Sequence, residues 1–440
     1  MFQNSLYISY FGLREPLVQT QVLPYLRELH KDGWLIYLIT FEKGGPQSYS
    51  ADELESWRKK LKSDGIIWQA NSYTDSRKLW AKVKDILRGF KHARLIIKEH
   101  QIQIIHGRAH VGTTIGLISG MFLGTKLLFD IRGFNPEEQV ESGRWSALSL
   151  KFYGYKFVEK ILLWRASAFV LLTDAGRKTI FPKSTPSLDN QIGMYFLPDG
   201  RPIQIIPCCV DDSRFEMKST TDETKKNIKN QIGLGHCARL IAHVGALGGL
   251  YPEERIVATF KAIYSKYPDT GFVILSQTSP DLLKEMYEQA GLPNENLWIG
   301  SVSSYQVADY LSICDWGLSI KKESYSQLSC SPTKIPEYLL VGLPILCSRG
   351  IGDCDSMIAG KNVGIVFDAW DDQEIRKAVE RMEDYERNTE IKLYCRQMAI
   401  QFFDLKTIGG PRYRAIYSQM ISSDSKSMQS RSFKHIEQMK

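Results

Sequence analysis

Short runs rich in β-branched and aromatic residues alternate with longer stretches of helical apolar spacing along this chain, and the whole rhythm occurs twice. The first half carries Leu6–Tyr10, Leu35–Ile39, Ile66–Trp68, Ile102–His106, Lys126–Asp130, Phe169–Thr173 and Ile203–Ile206. The second carries Leu240–Val244, Phe272–Leu275, Trp316–Ile320, Pro344–Cys347 and Val363–Phe367. Strands separated by helices join a parallel sheet covered on both faces. Two such series in 440 residues predict an α/β chain with two doubly wound, Rossmann-like domains of roughly 200 residues each. Ligands of such sheets bind beyond the strand C-termini, which for two facing domains means a cleft between them.

Composition narrows the function classes. Apolar content of 43% and charged content of 24% are ordinary for a globular chain. No run of eighteen apolar residues exists, and Met1 to His30 lacks a basic start followed by an apolar block. The expectation is a cytoplasmic protein with neither a spanning helix nor a signal peptide. All eight cysteines follow Pro207, without a Cys-x-x-Cys pair or a His cluster. They read as reduced thiols, with no metal site and no cofactor. A net charge of +7 on this length does not argue for a nucleic-acid partner.

The segment Ser329 to Ile345 is the most specific. Pro336 lacks an N–H and fits only the first turn of a helix, so Ser331 or Thr333 is expected to cap it. Gly342 ends the helix and Pro344 leads into a buried strand. A helix start flanked by hydroxyls and Lys334 suits a phosphate group, and Glu337, one turn in, is placed to accept hydrogen bonds from two ribose hydroxyls. The turn Val244–Leu250, with Gly245, Gly248 and Gly249, lets backbone N–H groups approach a diphosphate or serves as a plain βα connection.

These residues resemble the nucleotide-sugar motif of family 4 glycosyltransferases, retaining enzymes with the two-domain GT-B fold, and Phe129–Phe134, followed by Glu137 and Glu138, resembles a subgroup of bacterial surface-polysaccharide biosynthesis. The family pattern is Glu, seven residues, Glu, then a Gly-x-Pro ending. Glu337 matches the second acid, while Ser329 stands where the first belongs. The Arg and Lys that many relatives carry near the glycine turn are absent. Ile206–Phe215 resembles the family's domain junction, and Phe402 to Met420 its last helix, which returns to the first domain. The implied organisation is an acceptor-side domain over 1–213, a nucleotide-sugar domain over 214–401 and a crossover helix over 402–421. The polar tail 422–440 reads as disordered.

Donor contacts are expected from Gly245, Gly248, Gly249, Ser331, Thr333, Lys334 and Glu337. His106 and Arg108 close one strand and Arg132 follows the next, where such sheets place polar groups. The resemblance makes them the catalytic set, while a structural hydrogen bond or local ion pair is the plain alternative. Trp298–Val307 and Ser348–Asp353 stand where relatives place the base-binding loop and a cleft-facing loop. Only Gly12 of the usual glycine pair stands in Phe11–Pro16.

Asp75–Lys98 and Trp145–Arg165 combine basic residues with apolar ones, in the first as a stripe of Leu79, Val83, Ile86 and Phe90. Such helices dock on an anionic inner-membrane surface or pack their stripe on the sheet. The expected activity is transfer of a hexosyl group from a nucleotide sugar to a lipid-linked glycan acceptor in polysaccharide synthesis. A non-catalytic GT-B partner subunit and a nucleotide-sugar epimerase are the alternatives.

Overall fold

The computed structural model describes residues 3–75, 79–188, 192–215, 221–303 and 306–422. The chain forms two compact units. One comprises Met1–Pro136, Ser146–Pro207 and Ile408–Lys440, the other Glu137–Trp145 and Cys208–Thr407.

The first unit holds a sheet of β1 (Gln3–Ile8), β2 (Trp34–Glu42), β3 (Ile66–Ser72), β4 (Ile104–Arg108), β5 (Lys126–Ile131), β6 (Ala168–Leu171), β7 (Thr185–Pro186), β8 (Met194–Phe196) and β9 (Pro202–Ile205), in the order β3-β2-β1-β4-β5-β6-β9-β8-β7. Pairing is parallel from β3 to β9, and the short β7 and β8 add an antiparallel edge. The second unit holds β10 (Arg239–Val244), β11 (Thr270–Leu275), β12 (Leu297–Gly300), β13 (Trp316–Ser319), β14 (Ile345–Ser348) and β15 (Gly364–Phe367), all parallel, in the order β12-β11-β10-β13-β14-β15. Their side chains are largely buried, as strands covered on both faces require.

Several local expectations are corrected. Residues 402–421 are not one helix. The helix Ile391–Phe403 stops at Asp404, which pairs with Val210; a π-helical turn Leu405–Gly409 follows, and residues 410–422 are helical again. The Asp404 carboxylate causes the break by accepting hydrogen bonds from the Thr407 N–H and hydroxyl, both at 2.8 Å. The tail reading applies to 423–440, which lie outside the described residues, and Ser422 is helical.

Of the expected stripe on the helix Leu79–Glu99, Ile86 packs against the core, but the stripe is not the helix's buried face. Its buried line is Ala81, Asp85, Gly89, Ala93 and Ile97, because the neighbouring helix Ala109–Gly120 and the sheet approach too closely for larger groups: a Cβ on Gly89 would stand 2.8 Å from Ile115 of that helix and 2.9 Å from Phe41. Asp85 is accommodated by hydrogen bonds from the Tyr10 hydroxyl at 2.8 Å and the Thr74 N–H at 3.0 Å. Val83 is left exposed, and the side chain of Leu79 lies outside the description. Gly12 likewise has a packing reason, since its Cβ would meet the buried Glu42 carboxylate at 2.6 Å.

Candidate functional site

In the second sheet, the chain leaves β10 toward β11 and β12 on one side and later returns to β13, β14 and β15 on the other. The connections after β10 and β13 therefore diverge, and the crevice where the order reverses is where doubly wound sheets hold ligands. Most of the predicted donor residues gather there.

The helix Lys334–Leu340 is fastened beneath this point by Tyr338. Its buried hydroxyl accepts from the Val244 N–H at 2.8 Å and lies 3.2 Å from the Leu318 carbonyl, so one side chain joins β10 to β13. Gly317 makes this possible, because a Cβ there would stand 2.4 Å from the Tyr338 ring. Ahead of the helix, Gly245 has φ +119°, a conformation open to glycine, and a Cβ on it would stand 3.5 Å from the Lys334 ammonium. Gly248 and Tyr251 exchange backbone hydrogen bonds of 2.9 and 3.0 Å, which closes the glycine turn and fixes Tyr251.

Two lysines meet at the Tyr251 ring. Lys334 Nζ lies 4.8 Å and Lys321 Nζ 4.7 Å from the ring centroid. Lys321, just past β13, donates to Cys330 Sγ at 3.0 Å. The buried Lys334 Nζ has no hydrogen-bond partner, and neither do the buried His243 Nδ1 on β10 and Ser319 Oγ at the end of β13. A buried ammonium without an acceptor is costly, and the protein lowers the cost by releasing its proton. Burial, then the like charge of Lys321, pushes the Lys334 pKa down to about 7. Lys321 is held above the usual lysine range because Cys330 and Tyr251 outweigh the effect of burial. Burial and Lys334 together keep His243 well below its ordinary value. Lys321 was not singled out from sequence, and its signal was a lysine directly after a buried strand.

Glu337 is half-buried on the same helix. Burial pushes its carboxyl up to about 7, opposed by Arg214 and Lys334. The capping expectation is corrected. Thr333 is already helical (φ −62°, ψ −26°) and makes no side-chain cap, while the Ser331 hydroxyl accepts from the Cys208 N–H at 3.1 Å. Ser329 is buried, and its hydroxyl donates to the Ser326 carbonyl at 2.8 Å. The loop holding it is anchored by Glu141, which accepts from the Ser324 hydroxyl at 2.7 Å and the Ser326 N–H at 3.0 Å. In the expected base loop, Trp298 stacks on Tyr310 at 5.0 Å, and Ser304 and Tyr305 lie outside the described residues. Arg349, in the other loop, pairs with Asp368 at 2.7 Å.

In the first unit, His106, Arg108 and Arg132 surround the buried Asp130 at 3.6, 3.5 and 3.6 Å. His106 has no exposed surface. Its Nδ1 lies 3.0 Å from the Tyr417 hydroxyl, and its ring packs against Tyr7 and Tyr413. Burial lowers the His106 pKa more than Asp130 raises it. Asp130 itself is held down at about 2: burial opposes ionisation, but Arg132, His106 and Arg108 overcome it. The cluster is thus a fixed anion among cations, with a neutral imidazole at its back.

Among the described residues, no group of three or more His, Cys, Asp or Glu is arranged to hold a metal ion, and no helix is long and apolar enough to cross a membrane.

Two doubly wound sheets with this strand order and C-terminal return define the GT-B fold. Solved structures agree. Sucrose-phosphate synthase (tll1590) from Thermosynechococcus elongatus has a TM-score of 0.69 at 12% identity, covering 96% of this chain and 100% of that one. Anabaena Alr3699/HepE, in complex with UDP and glucose, has a TM-score of 0.67 at 13% identity, covering 94% and 100%. A glycosyltransferase from Rickettsia africae has a TM-score of 0.67 at 14% identity, covering 96% and 99%. No family model and no curated protein matches the sequence.

Proposed function

We propose that this protein is a retaining glycosyltransferase of family 4 type, which moves a hexosyl group from a nucleoside diphosphate sugar to a lipid-linked glycan in cell-surface polysaccharide synthesis. It would work in the cytoplasm at the membrane face. The observation that carries the reading is the buried, unpartnered Lys334 ammonium beside a glycine turn, with Lys321 across the Tyr251 ring and Glu337 on the next turn. A nucleoside diphosphate satisfies all of these groups: its phosphates take the two lysines and the backbone of Gly245, Gly248 and Gly249, and its ribose takes Glu337. The UDP in the Anabaena structure is in keeping with this ligand class.

As the bond between the sugar and the diphosphate breaks, negative charge grows on the leaving oxygens, where Lys321 and Lys334 neutralise it. The acceptor hydroxyl attacks from the departing side and passes its proton to the leaving phosphate, so no protein nucleophile is needed. His106, Arg108 and Arg132 are assigned as positioning residues, which hold Asp130 and the ends of their strands in place. No metal or cofactor is assigned a role.

One observation favours a second reading as a non-catalytic partner subunit: Ser329, in place of the family's first acid, spends its hydroxyl on the Ser326 carbonyl. The test incubates the protein with UDP-, GDP- and ADP-sugars and a lipid-extracted acceptor pool. Release of one nucleoside diphosphate, with the donor's anomeric configuration kept in the product, supports transfer. Binding without turnover favours the subunit.

A further inference from the structure

The helix Leu150–Arg165 is inside-out. Among its sixteen residues the buried ones are Glu159 and Leu162, whereas Leu150, Tyr153, Phe157 and Trp164 face outward and Leu150 is 91% exposed. The inward charge is satisfied, since Glu159 accepts from His110 Nε2 at 2.9 Å and pairs with Lys156. The outward apolar groups are not. Across from them the helix Leu79–Glu99 exposes Trp80, Val83 and Leu87. Between the two helices runs a groove of about 450 Å³ whose apolar lining includes Val83, Ile86, Val111, Leu150 and Val158, with Lys82 and Lys151 beside it. Gly154 also lines it and has open space where a Cβ would stand.

Large contiguous apolar patches on a monomer mark an interface. The charge here selects the kind. Lys82, Lys84, Arg88, Lys91, Lys151, Lys156, Lys160 and Arg165 occupy these two helices against three acids: Asp85 and Glu159 are turned inward and paired, and Glu99 is exposed at the far end of its helix. Apolar and aromatic groups ringed by cations fit an anionic lipid surface, where the rings sit at headgroup depth and the lysines meet phosphates.

We infer that this face docks on an anionic bilayer and that the groove takes one acyl chain of a phospholipid, with the lipid phosphate held between Lys82 and Lys151. This deepens the membrane-face reading above, and its test needs no nucleotide. The full chain is floated with phosphatidylcholine vesicles, with and without phosphatidylglycerol. The expected result is binding that requires phosphatidylglycerol, weakens with salt, and falls roughly fivefold for each of Lys82→Ala and Lys151→Ala. Phe157→Glu should abolish flotation, and Gly154→Leu, which fills the groove, should weaken it several-fold, while both keep the parent's thermal melt. Dodecyl phosphate should displace the protein from vesicles and butyl phosphate should not. Equal partition onto neutral vesicles, no flotation at all, or equal competition by the two phosphates would overturn the inference. So would a dimer in solution that Phe157→Glu dissociates without changing flotation.

Discussion

Replacing Lys334 with methionine should make the protein more stable and less able to bind nucleotide. The lysine pKa drops from 10.5 to about 7 in the folded chain. At about 1.4 kcal/mol per unit, the ionised side chain costs the folded state up to about 5 kcal/mol. This penalty applies in full below pH 7, where folded and unfolded chains are both protonated. It shrinks as pH rises from about 7 to about 10.5, because the folded protein has released a proton that the unfolded chain still holds. Lys334→Met removes it while preserving the apolar stem. With half of that ceiling realised, the second unit should melt roughly 5–10 °C higher at pH 6, and the gain should vanish near pH 10. Thermal scans at several pH values provide the assay, and calorimetry on the same variant should show nucleoside diphosphate binding weakened by roughly 30-fold or more. A lower melting temperature at pH 6, or a gain that does not depend on pH, would refute the reasoning, since Lys334 would then be held by an acceptor.

Other outcomes follow from the same geometry. Nucleotide binding should recharge Lys334 and so take up protons above pH 7, read as a buffer-dependent binding enthalpy, and affinity should fall by up to about tenfold per pH unit there. Lys321→Met should also weaken diphosphate binding, although its Cys330 contact makes the variant less stabilising than Lys334→Met. Asp130→Asn should destabilise the first unit by roughly 3–5 kcal/mol at pH 7 in urea melts, because Arg108 and Arg132 lose the buried charge between them.

Parallel strands were legible in the sequence because a strand covered on both faces is a continuous apolar run, as in Phe272–Leu275 and Ile345–Cys347. The half-exposed Leu297–Gly300 and the two-residue Thr185–Pro186 lack that signal and were not read as strands. Lys334 and Glu337 were legible because they share one helix. Lys321 reaches them only through the turn that presents Tyr251, a convergence no local pattern encodes. The stripe on Leu79–Glu99 has a related cause: apolar size suggested Val83 and Phe90, whereas the closeness of the helix Ala109–Gly120 and of the sheet selected Ala81, Gly89 and Ala93.

The central claim is that the crevice between β10 and β13 binds a nucleoside diphosphate through its phosphates and ribose. Calorimetric titration with UDP, GDP, ADP and inorganic diphosphate, on the parent and on Glu337→Ala, tests it most directly. The account predicts that one nucleotide binds, that Glu337→Ala weakens it roughly 10-fold or more, and that inorganic diphosphate is unaffected by that change. Binding of no nucleotide, or nucleotide affinity unchanged in Glu337→Ala, would contradict it.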